Sequence, residues 1–387
     1  MAILDRPAAS PGLDHPRRRG FDRILVAAIV ALSALGLLMI YSATRVPLQG
    51  SDLPDSVTME RQLIFVTAGL LVLYGLSRYD YRNLRDLLPF LYGLMLVMLV
   101  AVFAFDPIKG ARRWIPLPFF NLQPAEFAKI VVILGLAVLL VPGPEEDGSR
   151  LSWAKVGRSL VLVAVPTVLI FAQPDLGTML AIPFVLLVML FAAGANWRQL
   201  ALLVGWGVAA MTAVVSMGML ESYQLDRIRV LFDPDIDPQG IGWNLRQSKL
   251  AIGSGQLFGK GLFEGTQTNL QFVPEQETDF IFTALGEQLG FAGGIVALIL
   301  YAVIVWRLLV IAANARDRFG ALVATGLAGL LVFHVFVNVG MTVGIAPVTG
   351  LPLPFMSQGG SFYLSMMAGM AVANSIWIRR ARRPGEA

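Results

Sequence analysis

The 387-residue sequence contains no cysteine and only two histidines, His15 and His334, which are far apart. The missing thiols exclude disulfides, thiolate metal sites and cysteine nucleophiles, and two distant histidines do not predict a multi-histidine metal site. Charged residues make up only 14% of the chain, whereas about 25% is usual in soluble domains. The net charge of +4 is not a nucleic-acid signal, and phosphate-loop, dinucleotide and Ser-His-Asp patterns are missing as well.

Apolar residues dominate instead, at 56% of the chain. They are gathered in about ten runs that are long enough to cross a bilayer, and no alternation of the outer-membrane barrel kind is visible. The pattern predicts an all-α polytopic membrane protein. The predicted spans are roughly 24–44, 62–77, 86–105, 124–141, 158–172, 177–193, 199–217, 279–306, 320–345 and 360–378.

Lysine and arginine predict the orientation of the spans. Both termini are basic and an even number of spans places them on one side, so we expect both in the cytoplasm. Residues 1–23 form a cytoplasmic tail that we expect to be disordered, 24–378 a single membrane domain, and 379–387 a basic cytoplasmic tail. Residues 218–278 form a large extracytoplasmic loop, and loops of this length are usually functional or disordered. Because this one carries aromatics, glycines, Asp/Arg pairs and short amphipathic pieces, we expect it to be folded onto the outer surface.

An acidic segment precedes the eighth predicted span and is the first candidate site. Glu275, Glu277 and Asp279 lie within five residues, and Thr278 is predicted to cap the helix so that Asp279 falls in its first turn. An ordinary first-turn acid would explain Asp279 alone. Three carboxylates above a membrane also suit a general base or a cation site.

Further charges lie near the starts of other predicted spans. Lys109, Arg112 and Arg113 precede Trp114, and these residues suit either phosphate binding or an interfacial helix. Glu126 and Lys129 are three residues apart at the start of the fourth span, so they share a face and can pair. That pair is either a buried structural ion pair or part of a functional site.

Three other features have mainly structural interpretations. In Gln173-Pro174-Asp175, the aspartate is predicted to cap the sixth span. His334 and Asn338, four residues apart on the ninth span, are read as hydrogen-bonded packing residues. The Pro- and Gly-rich segment 347–361 cannot be helical throughout, and such backbone is tolerated at membrane depth only where it is buried or lines a cavity. The residues alone thus predict a cavity suited to an anionic lipid-linked substrate.

Several separated motifs, taken together, resemble the SEDS family (shape, elongation, division and sporulation), whose members include RodA and FtsW. The resemblance covers residues 24–378. The motifs are Arg113-Trp114-Ile115, Gln123-Pro124-Ala125-Glu126 with Lys129, Gln173-Pro174-Asp175-Leu176-Gly177-Thr178, Pro274-Glu275 with Thr278-Asp279-Phe280-Ile281-Phe282, and Gly350-Leu351-Pro352-Leu353-Pro354-Phe355 with Ser357 and Gly359-Gly360-Ser361.

The resemblance implies a ten-span glycosyltransferase of the bacterial inner membrane that polymerises lipid II into peptidoglycan at the periplasmic face. The family's essential aspartate matches Asp279, which would act as general base while undecaprenyl pyrophosphate leaves. Lys129 is expected to face the cavity and meet substrate phosphate. The substrate-binding residues implied are Arg112, Arg113, Trp114, Gln123, Glu126, Lys129, Asp175, Thr266, Glu275 and Ser357.

The same resemblance implies protein partners and suggests a candidate cofactor. A class B penicillin-binding protein and other membrane proteins of the elongation complex are the expected partners, with docking on spans eight and nine, which are rich in glycine. A divalent cation, Mg²⁺ or Mn²⁺, is the only candidate cofactor. Thr266, in Gly265-Thr266-Gln267, favours the RodA branch over FtsW.

This sequence departs from the family pattern at three positions. The family usually has histidine where Glu277 stands, often a basic residue at Asn121, and tyrosine at Gln358. Glu277 makes the site more acidic, which would raise the pKa of Asp279 by like-charge repulsion.

Three functions therefore stay open at this point: a glycan polymerase of elongation or division, a lipid II flippase or other transporter, and a scaffold. A transporter needs polar residues along a path to both faces of the membrane, whereas the charges here cluster at the outer ends of spans four and eight. A scaffold would not need Asp279.

Overall fold

The computed structural model describes residues 20–45, 56–108, 110–142, 151–218 and 220–380. The predicted tails 1–23 and 379–387 and the candidate residue Lys109 fall wholly or mostly outside these ranges. The described helices are α1 (Arg23–Thr44), α2 (Ser56–Arg78), α3 (Asn83–Ala101), α4 (Pro124–Leu140), α5 (Trp153–Phe171), α6 (Leu176–Ala192), α7 (Trp197–Ser216), α8 (Ser222–Phe232), α9 (Ile241–Ser254), α10 (Thr266–Asn269), α11 (Ile281–Ala313), α12 (Arg318–Val343) and α13 (Gly360–Ile378).

Ten of these helices coincide with the ten predicted spans: α1 to α7 and α11 to α13. Eight are long and apolar enough to cross a membrane, and the other two, α4 and α6, have 17 residues each. The prediction of an all-α polytopic membrane protein is confirmed. The described strands are β1 (Ile115–Pro116) and β2 (Asn121–Leu122), an antiparallel pair between α3 and α4.

Local sequence signals account for several helix starts. Asp22 and Asp175 cap α1 and α6, because each carboxylate accepts a hydrogen bond from a main-chain N–H three residues later. Pro124 occupies the first turn of α4, where a missing N–H costs nothing. Asn196 begins α7 with a capping box.

The core lies where α12 and α13 pack among α2, α4, α6 and α11. Both central helices are largely buried, and small residues allow the close approach: an added Cβ at Gly369 would meet Leu327 and Ile130. In contrast, α7 packs weakly against the rest and is the most exposed of the candidate spans.

The long loop, residues 218–278, carries α8, α9 and α10 and joins the bundle at a break in α11. Gly290 has φ 65° and ψ −163°, so it interrupts the helix. Phe291 N–H and Ala292 N–H donate to the carbonyls of Gln256 and Leu257 at 2.9 and 3.0 Å. The broken helix thus pairs its free backbone groups with the loop, which is the condition for irregular backbone within a membrane domain.

One detail of the sequence prediction is wrong. Thr278 does not cap the eighth span, because α11 begins at Ile281 after Phe280, and Asp279 lies in the preceding turn. The glycines of spans eight and nine, which suggested a docking face for a partner, are packed within this chain. Added Cβ atoms at Gly286, Gly290 and Gly326 would meet other parts of this chain.

Candidate active site

Four chain segments converge at one end of the bundle. They are the N-terminal ends of α4 and α6, the turn before α11, and the non-helical segment between α12 and α13. This convergence follows from the order of the spans: even-numbered spans begin, and odd-numbered spans end, on the same side. Residues far apart in sequence, such as Glu126 and Asp279, therefore meet at one depth.

The segments enclose a polar cavity of about 460 Å³. Four carboxylates and two guanidinium groups line it, together with polar side chains and glycine backbone. The lining residues are Ile108, Arg113, Trp114, Asn121, Gln123, Glu126, Asp175, Thr178, Arg227, Glu275, Thr278, Asp279, Gly350, Leu351, Pro352, Gln358, Gly359, Gly360, Ser361 and Phe362. Seven sequence-predicted site residues are among them: Arg113, Trp114, Gln123, Glu126, Asp175, Glu275 and Asp279.

Asp279 lies between the long loop and the segment that follows α12. Its main-chain N–H donates to the Glu275 carbonyl at 3.0 Å, and its own carbonyl accepts from Asn338 Nδ2 at 2.8 Å. The carboxylate passes close to the backbone of Gly350, where an added Cβ would lie 3.1 Å from Asp279 Oδ2. Gly350 also has φ 72°, so glycine is favoured there for both reasons.

Arg227, on α8, brings a positive charge to the same place. Its guanidinium donates to the Thr349 carbonyl at 2.8 Å. The Asp279 carboxylate attracts this charge and the Arg113 guanidinium repels it. Burial lowers the pKa of Arg227 from its ordinary value, while the Asp279 carboxylate opposes that shift. Arg113 stacks on Trp114, 4.1 Å from the ring centroid. The cavity therefore holds two cations that could receive an anionic group.

Gln123 and Asp175 connect two of the converging segments. Gln123 Nε2 donates to Asp175 Oδ2 at 2.9 Å, while Asp175 Oδ1 caps α6. The predicted cap is present, and the same carboxylate also lines the cavity. On the other side, Ser361 Oγ accepts from Gln123 N–H and donates to the Asn121 carbonyl, each at 3.0 Å.

The predicted pair of Glu126 and Lys129 is present, but Lys129 does not line the cavity. Lys129 Nζ lies 2.7 Å from Glu126 Oε2, and both side chains are buried. Lys129 Nζ also lies 3.0 Å from His334 Nε2 and 5.3 Å from the centroid of the Phe362 ring, and His334 Nδ1 lies 3.3 Å from the Pro352 carbonyl. The expectation that Lys129 faces the cavity is therefore wrong. Lys129 is not among the lining residues, and its ammonium contacts the buried side chains of Glu126 and His334.

Three other predicted residues lie outside the cavity lining. Arg112 is directed to the Phe103 carbonyl, at 3.3 Å. Ser357 is buried and accepts from Leu353 N–H at 2.8 Å, so it shapes the irregular segment. Thr266 lies with Lys260 beside Glu287 of α11.

The Glu287 cluster holds the long loop onto α11. The buried Glu287 carboxylate pairs with Lys260 at 2.9 Å, and accepts from Gln267 N–H and from both Thr268 N–H and Oγ1, at 2.8–2.9 Å. Thr268 Oγ1 in turn accepts from Gln276 Nε2 at 3.1 Å. The cluster thus connects the break in α11 to the acidic turn that carries Asp279.

The three residues that depart from the family pattern lie in or next to the polar cavity. Glu277 does not line the cavity, and its carbonyl accepts from Gln358 N–H at 2.9 Å, so two of the departures are neighbours. Asn121, in β2, lines the cavity. Within the described residues, no group of three or more His, Asp or Glu side chains could hold a metal ion.

Two residues that the structure brings to this site were not predicted from the sequence. Arg227 was not among the residues of the predicted substrate site; two other cations of the long loop, Arg229 and Arg246, pair with half-buried Asp226 and exposed Asp235. Asn338 was read as a packing residue. Its four-residue spacing from His334 places both on one face of α12, and that spacing was the available signal.

The chain matches the model of the FtsW/RodA/SpoVE cell cycle proteins over residues 22–381. It belongs to this family. The peptidoglycan glycosyltransferase MrdB of Escherichia coli K12 is 39% identical over 374 residues, which cover 95% of this chain and 98% of that protein. The peptidoglycan glycosyltransferase RodA of Treponema pallidum is 32% identical, covering 93% and 98% of the two chains.

Solved structures of the family have the same fold. A chain from a peptidoglycan synthase complex that coordinates polymerization and crosslinking matches with a TM-score of 0.77 and 31% identity, covering 92% of this chain and 97% of that one. The crystal structure of Thermus thermophilus RodA matches with a TM-score of 0.69 and 30% identity, covering 95% and 100%. This FtsW/RodA/SpoVE protein is therefore an integral inner-membrane protein.

Proposed function

We propose that this chain is a peptidoglycan glycosyltransferase that polymerises lipid II during cell elongation, with its polar cavity open to the periplasm. The observation that carries the proposal is the position of Asp279 beside Arg227 in a cavity lined by family motifs. The relatives named above as peptidoglycan glycosyltransferases support the reaction class. An equivalent polymerase of division is the alternative within the same family.

Asp279 is proposed to act as general base. The acceptor sugar hydroxyl must lose a proton as it attacks the anomeric carbon of the donor, and a positioned carboxylate can accept that proton. Asp279 fits because it lines the cavity and its main chain is held on both sides of the turn. The acceptor oxygen forms the new glycosidic bond while the bond to undecaprenyl pyrophosphate breaks.

Arg113 and Arg227 are proposed to stabilise the leaving pyrophosphate. Both line the cavity, and fixed cations aimed at developing charge act strongly in a water-poor site. A divalent cation, Mg²⁺ or Mn²⁺, is a further proposal. It would be held by one or two cavity carboxylates together with the substrate's own phosphates, which is a common arrangement for Mg²⁺.

A lipid transporter would use the same cavity, but the structure favours the enzyme. The charged residues that line the cavity lie at one end of the bundle, and beyond Lys129 helix α4 continues with buried Val132, Ile133 and Leu136. Alternating access needs a path that opens to each side in turn.

The proposed reaction is tested by following glycan strands formed from lipid II by the purified protein in liposomes. We expect Asp279→Asn to lower turnover by about 10²- to 10⁴-fold, the usual loss when a general base is removed. Asp226→Asn is the matched control, because half-buried Asp226 pairs with exposed Arg229 and is not among the cavity lining residues. Wild-type turnover by a folded Asp279→Asn protein would refute the assignment, and lipid II flipping without polymerisation would favour the transporter.

We also propose that this polymerase works with a class B penicillin-binding protein whose single span docks on α11 and α12. This chain is similar to one chain of a peptidoglycan synthase complex that coordinates polymerization and crosslinking. The glycines proposed for docking are buried within this chain, but an apolar groove of about 350 Å³ lies between the two helices. Its exposed residues include Val332 and Phe336.

A further inference from the structure

Asn338 of α12 joins two backbone segments of the polar cavity. Its Nδ2 donates to the Asp279 carbonyl at 2.8 Å and to the Leu351 carbonyl at 2.7 Å. The side chain is completely buried. One amide therefore connects the turn before α11 with the irregular segment after α12.

The hydrogen-bond pattern explains why the residue is an asparagine. Both bonds use donors, and an amide nitrogen supplies two of them from one atom. Two carbonyls facing the same atom also decide the orientation of the amide, since the oxygen could not occupy that place. Asn338 Oδ1 has no hydrogen-bond partner among the described residues. The amide is thus held by its donors alone.

The connection bears directly on the proposed base. Asp279 lies before the first residue of α11, so the α-helix does not include its main chain. The carboxylate is close to Gly350, and the neighbouring Leu351 carbonyl is the second group that Asn338 holds. Releasing the amide would remove one of the two main-chain hydrogen bonds described for Asp279 and would also release the Leu351 carbonyl.

We infer that Asn338 is a positioning residue that holds Asp279 in register with the segment after α12 for proton transfer. The inference rests on the proposed function, because it concerns the same cavity. A general base must lie within hydrogen-bond reach of its proton, and a displacement of about 1 Å can lower a rate by about 10²-fold. Asn338 does not touch the carboxylate, so substrate binding is expected to survive its loss.

The test compares Asn338→Ala and the isosteric Asn338→Asp with wild type in lipid II polymerisation. Asn338→Asp keeps the side-chain volume but has at most one donor, when protonated, in place of the two of the amide. It replaces the alanine variant in the test if that variant does not fold. We expect kcat to fall by about 10- to 10²-fold, with KM changed by less than about twofold. In Asp279→Asn protein, the further change Asn338→Ala should lower kcat little more, because residues acting through one another are non-additive.

Asn374→Ala is the matched control for a lost buried asparagine. Asn374 is equally buried, and it bridges Asp22 N–H and Ser77 Oγ at 2.9 and 3.0 Å on α13, away from the polar cavity. We expect it to lower stability but to leave kcat per folded molecule unchanged. A similar fall of kcat in both variants would overturn the inference, because the loss of any buried asparagine would then lower kcat.

Amide hydrogen exchange supplies a readout that needs no substrate. Asn338→Ala should speed exchange in peptides covering 276–282 and 348–353, and Asn374→Ala should not. Unchanged exchange there, or faster exchange with wild-type kcat, would each refute the positioning role. The two proposals fail differently: an active Asp279→Asn protein removes the general base, whereas an active Asn338→Ala protein beside an inactive Asp279→Asn protein removes only this inference.

Discussion

Lys129→Ala separates a buried structural charge from a substrate contact. The ammonium lies 2.7 Å from Glu126 Oε2, with side-chain exposures of 1% and 3%, and 3.0 Å from His334 Nε2. Removing one partner of a buried ion pair costs about 3–5 kcal/mol. At 1.4 kcal/mol per tenfold, that is a loss of about 10²- to 10⁴-fold in the folding equilibrium.

Arg229→Ala is the internal control for this perturbation. Arg229 and Asp226 have the same three-residue spacing, but their side chains are 59% and 32% exposed. Exposed pairs contribute only about 0–1 kcal/mol. Changing Lys129 to Met together with Glu126 to Leu should recover most of the stability, because an apolar replacement of a buried pair is often neutral or stabilising.

Equilibrium unfolding of the purified variants in detergent, followed by lipid II polymerisation per folded molecule, measures both quantities. We expect Lys129→Ala to lower the free energy of unfolding. Activity per folded molecule should fall only to the extent that the loss of the contacts with Glu126 and His334 changes the shape of the cavity. A Lys129→Ala protein as stable as Arg229→Ala but inactive would refute the reasoning. The ammonium would then have to reach the substrate, as the sequence analysis expected.

Arg227→Ala should lower kcat/KM for lipid II by about 10²-fold or more because a fixed cation is lost from the leaving group, and Arg227→Lys should recover part of it; an unchanged kcat/KM would place the pyrophosphate elsewhere. Gly290→Ala should lower the free energy of unfolding by about 1–3 kcal/mol or more, since φ is 65° and an added Cβ would overlap the long loop. A Gly290→Ala protein as stable as the wild type would contradict the break in α11. Phe336→Cys should cross-link to a cysteine in the span of a class B penicillin-binding protein, whereas equally exposed Leu71→Cys on α2 should not; the reverse result would move the docking face.

The spans could be predicted because their signal is local. A run of about twenty apolar residues is long enough to cross a bilayer wherever it lies in the chain. All ten predicted spans correspond to helices, within a few residues at most ends. The break at Gly290 could not be predicted in this way, because its cause is the pairing of α11 with backbone from residues 256–261.

The direction of a charged side chain is not a local property either. Glu126 and Lys129 share one face of α4, and the spacing correctly predicted their ion pair. It did not say that Lys129 points away from the cavity, because that depends on His334 approaching from α12. The sequence therefore predicted which residues lie near the site better than which of them face it.

Asn338 shows the consequence for reading such a site. A lone polar residue in an apolar helix has two explanations: packing within its own bundle, or support of something irregular beside it. The segment 347–361 was predicted not to be helical throughout, so part of its backbone needs hydrogen-bond partners from its surroundings at membrane depth. The sequence did not say which residue supplies the donor. The structure places that donor at Asn338, where the same amide also holds the main chain of Asp279.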